Sequence, residues 1–188
     1  MTHGPQTAMG QKAAPSDLTA GEGRDHHAEP YAPVFVGARR AALDELLTRY
    51  PTKMAVLLPA LWMVQEERGW VPPEGIVEIG ELLDLTPAYI QGVMTFYTMY
   101  HQHPVGRHFI QVCTTSPCGV CGAEEVRDAL VRETGCGDLG VTSPDGRFTV
   151  IEVECLGACG FATPVMINDR FVESVTPERV AQLLADLK

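Results

Sequence analysis

The chain has 188 residues, 45% of them apolar and 20% charged, enough to bury the core of one domain or two small ones. Fourteen Lys and Arg against twenty-four Asp and Glu leave a formal net charge of −10, a field that repels phosphate backbones and argues against a nucleic-acid partner. The charge-free stretch around the most apolar segment, Leu57 to Gln65, contains Pro59 and falls well short of the roughly 20 residues of a membrane-spanning helix, so no direct span is expected. The first residues lack the basic start and apolar centre of a secretory leader. A cytoplasmic location follows as the expectation, and in that reducing medium the six cysteines read as thiols or metal ligands rather than as a disulfide framework.

Residues 1–34 are rich in Gly, Ala, Pro, Thr and charge with little to bury, and read as a flexible tail. Its His3, His26 and His27 have no organised neighbours that would make them a metal patch. From 35 to 104 the apolar period is helical, through Ala41, Leu43, Leu46 and Leu47, then Val56, Leu57, Leu61 and Val64. Pro51-Thr52 separates the first two helices, Gly69 to Pro73 ends the second, and Ile76 to Leu83 forms a third. Thr86-Pro87 opens a fourth with an N-cap hydroxyl and a proline whose missing N–H costs nothing there. Phe96, Tyr97, Met99 and Tyr100 read as core or domain-contact residues.

From 105 to 188 the pattern alternates: a strand over Phe109–Val112, a helix over Ala123–Glu133, and a strand over Phe148–Val153. Val165–Ile167 and Phe171–Glu173 form a hairpin around Asn168-Asp169, and Thr176-Pro177 opens a last helix. The fold class is therefore α/β, an N-terminal helical bundle followed by a sheet with helices packed on it.

Four cysteines fall in two close pairs just after the predicted strands: Cys113-Thr-Thr-Ser-Pro-Cys118 and Cys155-Leu-Gly-Ala-Cys159. Two pairs on two loops can converge on one centre, and four thiolates are what a 2Fe-2S cluster needs, two per iron. Gly119, Gly157 and Gly160 let backbone fold tightly round sulfur. A four-cysteine zinc site would use the same ligands, though zinc knuckles favour two-residue spacings. Cys118-Gly-Val-Cys121 also has the spacing of a redox dithiol, a reading that leaves Cys113, Cys155 and Cys159 idle. Inert burial suits Cys136. His101, His103 and His108 could be taken for ligands of a Rieske-type centre, but four paired cysteines make them superfluous and a surface or interface role suits them better.

The segments Leu58-Pro59-Ala60-Leu61, Gln65 to Trp70, Gly92 to Met99, Ile110 to Cys113, Gly122 to Glu125, Glu154 to Gly160 and Pro164 to Asp169 together resemble the thioredoxin-like 2Fe-2S subunit, the NuoE family, of NADH:quinone oxidoreductase, respiratory complex I. The resemblance covers about residues 36–188. It implies a thioredoxin-like ferredoxin domain over 105–188, Cys113, Cys118, Cys155 and Cys159 as ligands of one 2Fe-2S cluster, and a partner flavoprotein that binds FMN and NADH alongside further subunits. It also implies a place at the cytoplasmic face of the membrane through that complex. Related subunits of NAD-linked formate dehydrogenases and hydrogenases share these motifs. Gly160-Phe161-Ala162-Thr163-Pro164 departs somewhat from the family pattern, and Cys121 matches no ligand position. No G-x-G-x-x-G or P-loop follows a strand, so this chain is expected to move electrons without itself oxidising NADH.

Overall fold

The computed structural model describes residues 30–187, so the expectations for His3, His26, His27 and the tail up to residue 29 lie outside the described residues. Four helices come first: α1 (Gly37–Arg49), α2 (Leu57–Arg68), entered through a 3-10 turn at Lys53–Val56, α3 (Pro73–Leu83) and α4 (Pro87–Phe96). Their limits follow from local chemistry. Gly69, at φ 80, closes α2 by giving its N–H to the Gln65 carbonyl. Prolines open α3 and α4, and the Thr86 hydroxyl caps α4 by accepting the Tyr89 N–H at 3.3 Å, as the sequence predicts. Helix α3 packs between α2 and α4, burying Ala60, Leu61, Val64, Ile79, Ile90 and Met94.

The remaining elements are β1 (His108–Cys113), α5 (Ser116–Val120), α6 (Ala123–Thr134), β2 (Phe148–Val153), a 3-10 turn at Cys159–Phe161, β3 (Val165–Ile167), β4 (Arg170–Val172) and α7 (Pro177–Ala185). The strands lie in the order β2-β1-β3-β4, with β1 and β2 parallel and the β3–β4 hairpin antiparallel to β1. Helices α6 and α7 pack together, and Val126, Leu130, Val180 and Leu184 close a core with Ile110, Val112, Val150 and Val165. By the usual ~25 cal/mol per Å² of apolar area, each such fully buried aliphatic side chain contributes about 2 kcal/mol. The parallel pairing is what matters for function. Its register runs from His108↔Phe148 to Cys113↔Val153, so the loops after β1 and β2 leave the sheet side by side at one edge.

Gln65 of α2 clamps the segment that leads from α4 toward β1. Its buried carboxamide donates to the Met99 carbonyl at 2.9 Å and accepts the His101 N–H at 2.6 Å, while the His101 carbonyl accepts the Val71 N–H at 2.9 Å. Gly106, next along, lies against the Phe148 backbone with no room for a Cβ, and its N–H reaches Thr149 Oγ1 at 2.7 Å.

The structure decides one open sequence expectation and corrects two others. Phe96, Tyr97 and Met99 are exposed, Phe96 by 76%, and only Tyr100 of that group is buried, its hydroxyl donating to the Leu58 carbonyl. The helix stops at Phe96 because Tyr97 turns extended, which swings the aromatic run off the helical core. His108 is buried against the Phe148 ring and His101 packs at a tilt against the Phe109 ring with centroids 4.4 Å apart, so of the three histidines only His103 is a surface residue. Finally, boundaries shift: α3 starts at Pro73 rather than Ile76, β1 runs over His108–Cys113 rather than Phe109–Val112, and β4 over Arg170–Val172 rather than Phe171–Glu173.

Candidate metal centre

Cys113 is the last residue of β1, and α5 begins three residues later, started by Ser116-Pro117 and carrying Cys118. Proline fixes φ in that first turn, so the chain bends back and returns Cys118 to Cys113. The two thiols are buried and share a hydrogen bond, in a pocket closed by Ala123 at the start of α6 and by Leu156 and Ala162 from the loop after β2. The Cys113 sulfur is 3.8 Å from both Thr115 Oγ1 and the Glu154 carbonyl oxygen.

These contacts separate the two thiols electrostatically. Burial pushes Cys113 up, but backbone N–H groups of Leu156 and Thr115, aided by the Cys118 and Thr115 side chains, outweigh it and bring Cys113 below the ordinary thiol value. Cys118 is pushed up to about 12, first by burial, then by its hydrogen bond to Cys113 and by the charges of Cys113, Cys159 and Cys121. The Leu156 N–H that stabilises a Cys113 thiolate comes from the second cysteine loop, so the two loops already meet at sulfur.

Cys155 and Cys159 are exposed on that second loop. Gly157 sits at φ 73, a conformation open to glycine at no steric cost, and turns its N–H onto Cys155 Sγ at 3.3 Å. Cys159 begins the 3-10 turn and is near enough to Cys118 to act on it electrostatically. Among the described residues no three His, Cys, Asp or Glu side chains stand round one point as a single metal ion would require. A two-iron cluster draws instead on thiolates taken two per iron. One pair in contact, a second on the adjoining loop, and N–H donors directed at sulfur from the second loop are a donor set that fits it.

Two features were not found from the sequence. Thr114, next to Cys113, gives its hydroxyl to Glu152 at 2.5 Å, and Arg127 of α6 reaches the same carboxylate at 3.3 Å, which ties together the three elements around the thiols. No sequence periodicity marks a Thr–Glu pair facing across parallel strands. Thr163, buried beside Ala162, has a hydroxyl with no hydrogen-bond partner. Cys136 lies apart and buried, accepting the Thr134 hydroxyl at 3.1 Å, as the inert reading expects. Cys121 is exposed at the end of α5.

A parallel strand pair whose cysteine-bearing ends abut, with a helix crossing between them, defines a thioredoxin-like iron–sulfur protein. The model of the family described as thioredoxin-like [2Fe-2S] ferredoxin matches residues 43–188, and the chain belongs to that family. It is 41% identical over 157 residues to NADH-quinone oxidoreductase subunit 2 of Thermus thermophilus, covering 82% of this chain and 86% of that one. It is also 41% identical over 151 residues to an NADH-quinone oxidoreductase subunit of Pseudomonas aeruginosa, covering 80% and 90%. Its branch of the family is thus the NuoE type, the iron–sulfur subunit of an oxidoreductase. A crystal structure of an NAD+-reducing [NiFe]-hydrogenase shares the fold with a TM-score of 0.61 at 22% identity, over 70% of this chain and 22% of that chain. The chain therefore spans under a quarter of that hydrogenase chain. Among the described residues no helix is long and apolar enough to cross a membrane.

Proposed function

We propose that the chain holds one 2Fe-2S cluster on Cys113, Cys118, Cys155 and Cys159 and passes electrons within an NADH:quinone oxidoreductase, next to a flavoprotein that binds FMN and NADH. The observation that carries this reading is the buried Cys113–Cys118 pair reached by the Leu156 N–H of the Cys155–Cys159 loop. Such a cluster takes one electron at a time whereas NADH gives up two as hydride, so a flavin on the partner has to divide the pair.

The chain's own part is to hold and shield. Cys113 and Cys118 supply ligands from inside, where Ala123, Leu156 and Ala162 exclude water, and N–H donors from Leu156 and Gly157 offset negative charge on sulfur. The environment of Cys118 opposes its ionisation, and a bound metal would supply the pull that releases its proton. That same environment opposes a dithiol reductase, which needs a ready thiolate.

Residues 35–104 form the partner-facing domain and 105–188 the cluster domain in this reading. Support comes from the stretch Leu85–Gly106, which has no Asp, Glu, Lys or Arg and exposes Tyr89, Phe96 and Met99. Through the complex the subunit sits at the cytoplasmic face of the membrane. The test is reduction of anaerobically purified chain followed by EPR: a 2Fe-2S signal is expected in wild type and in Cys121→Ser and its loss in Cys118→Ser, whereas full iron in Cys118→Ser contradicts the assignment. Tight NADH binding by the purified chain would contradict the division of labour with the flavoprotein.

A further inference from the structure

Cys121 is left over by the cluster, yet it is not remote from it. It follows α5, three residues after Cys118, and its N–H bonds to the Cys118 carbonyl at 3.0 Å, the i to i+3 pattern of a tight helical turn. A turn closed by such a bond brings the Cα atoms of its end residues within about 7 Å, and a disulfide takes Cα atoms from about 4.4 to 6.8 Å apart. The Cys121 charge reaches Cys118. Exposure differs sharply between the two, Cys118 being buried at 1% and Cys121 open to solvent. Of these two thiols an oxidant from solution therefore meets Cys121 before Cys118, which is one of the four that iron needs.

From this geometry we infer that Cys118 and Cys121 form a reversible disulfide site in the cluster-free chain, one that closes the centre to iron until it is reduced. The chemistry needs a peroxide as oxidant. Cys121 thiolate attacks hydrogen peroxide and becomes a sulfenic acid, while the hydroxide that leaves takes up the thiol proton as water. The Cys118 thiol then attacks the Cys121 sulfur, its proton passes to the departing hydroxide, which leaves as a second water, and the S–S bond forms, so that two thiols and one peroxide give one disulfide and two waters. A small thiol reverses it by exchange, entering at the exposed Cys121 sulfur. Once Cys118 is bound to iron it is not available to resolve the sulfenic acid, so the site is closed in the loaded protein. That last point, and the block on iron, rest on the proposed ligand role of Cys118; the disulfide itself does not.

The test uses the full chain, freed of metal by chelation under reducing conditions and then exposed to one equivalent of hydrogen peroxide. Free thiols are blocked with N-ethylmaleimide, the disulfide is reduced, and the released thiols are tagged with an isotopically heavy form and located by mass spectrometry. The heavy tag is expected at Cys118 and Cys121, with most iron uptake lost and restored by dithiothreitol. Cys121→Ser, given the same peroxide, is expected to keep Cys118 unoxidised and to take up iron as before. Heavy tag at Cys113 with Cys118, or at Cys155 with Cys159, while Cys121 stays free, overturns the proposal, and so does loss of iron uptake in Cys121→Ser equal to that of wild type. Iron loading by Cys118→Ser that has met no peroxide would instead refute the ligand assignment, and the tag pattern would still decide the disulfide.

Discussion

Replacing Gly106 by alanine probes the strand pairing on which the whole site depends. A Cβ built there would lie 2.5, 2.7 and 2.8 Å from the C, N and Cα atoms of Phe148, backbone atoms that cannot swing aside as a side-chain tip would. The entry of β1 must then move off β2. Forced overpacking of this kind costs about 3 kcal/mol, and stretching the Gly106 N–H bond to Thr149 Oγ1 adds about 1 kcal/mol. A loss of about 4 kcal/mol is a large share of the ~5–15 kcal/mol that typically holds a domain folded. Gly119 is the matched control: its nearest neighbour to an added Cβ is the Thr114 carbonyl oxygen at 3.6 Å, and alanine suits a helix better, so Gly119→Ala is expected to stay within about 0.5 kcal/mol of wild type. Urea unfolding of the full chain, followed by circular dichroism, measures both. Because the cysteine loops leave the far ends of these same strands, Gly106→Ala is also expected to hold less iron. Equal unfolding midpoints for the two variants, or a loss below about 1 kcal/mol at Gly106, would refute the described packing of β1 on β2.

Other outcomes follow from single contacts. Cys155→Ser and Cys159→Ser are expected to lose the cluster, because each opens an iron to water, while Cys136→Ser keeps wild-type iron; elemental analysis decides. Gln65→Leu removes both bonds of the clamp and leaves the Met99 carbonyl and His101 N–H unpaired, a loss of about 2–4 kcal/mol in urea unfolding. Burial holds the His101 imidazole below its usual pKa, so the unfolded chain takes up a proton there first. Its contribution is therefore whole above the ordinary histidine value and is lost as pH falls below it, and His101→Gln is expected to lose less stability than wild type between about pH 7 and 5.

Much of this architecture was legible where local chemistry and packing agree. The strand Phe148–Val153 lies as its alternation predicts, and Pro87 and Pro177 open their helices where the Thr-Pro pairs put them. The position of each cysteine pair just after a strand was legible too, since the alternation stops at each pair. Elsewhere the signal was absent. Helix α5 is five residues long and holds a proline and a glycine, too short for any period to register. Phe96 and Met99 read as core or domain-contact residues alike, because apolar composition cannot tell a buried face from one that awaits a partner. Gln65 and the Thr114–Glu152–Arg127 bridge depend on contacts between residues 25 to 38 positions apart, which no local pattern encodes.

Iron and acid-labile sulfide content of the anaerobically purified wild-type chain, read together with its EPR spectrum after reduction, tests the cluster assignment most directly. About two irons and two sulfides per chain with a 2Fe-2S signal are expected. Zinc in their place, or a chain with neither iron nor sulfide that reduces disulfides through Cys118 and Cys121, would contradict it.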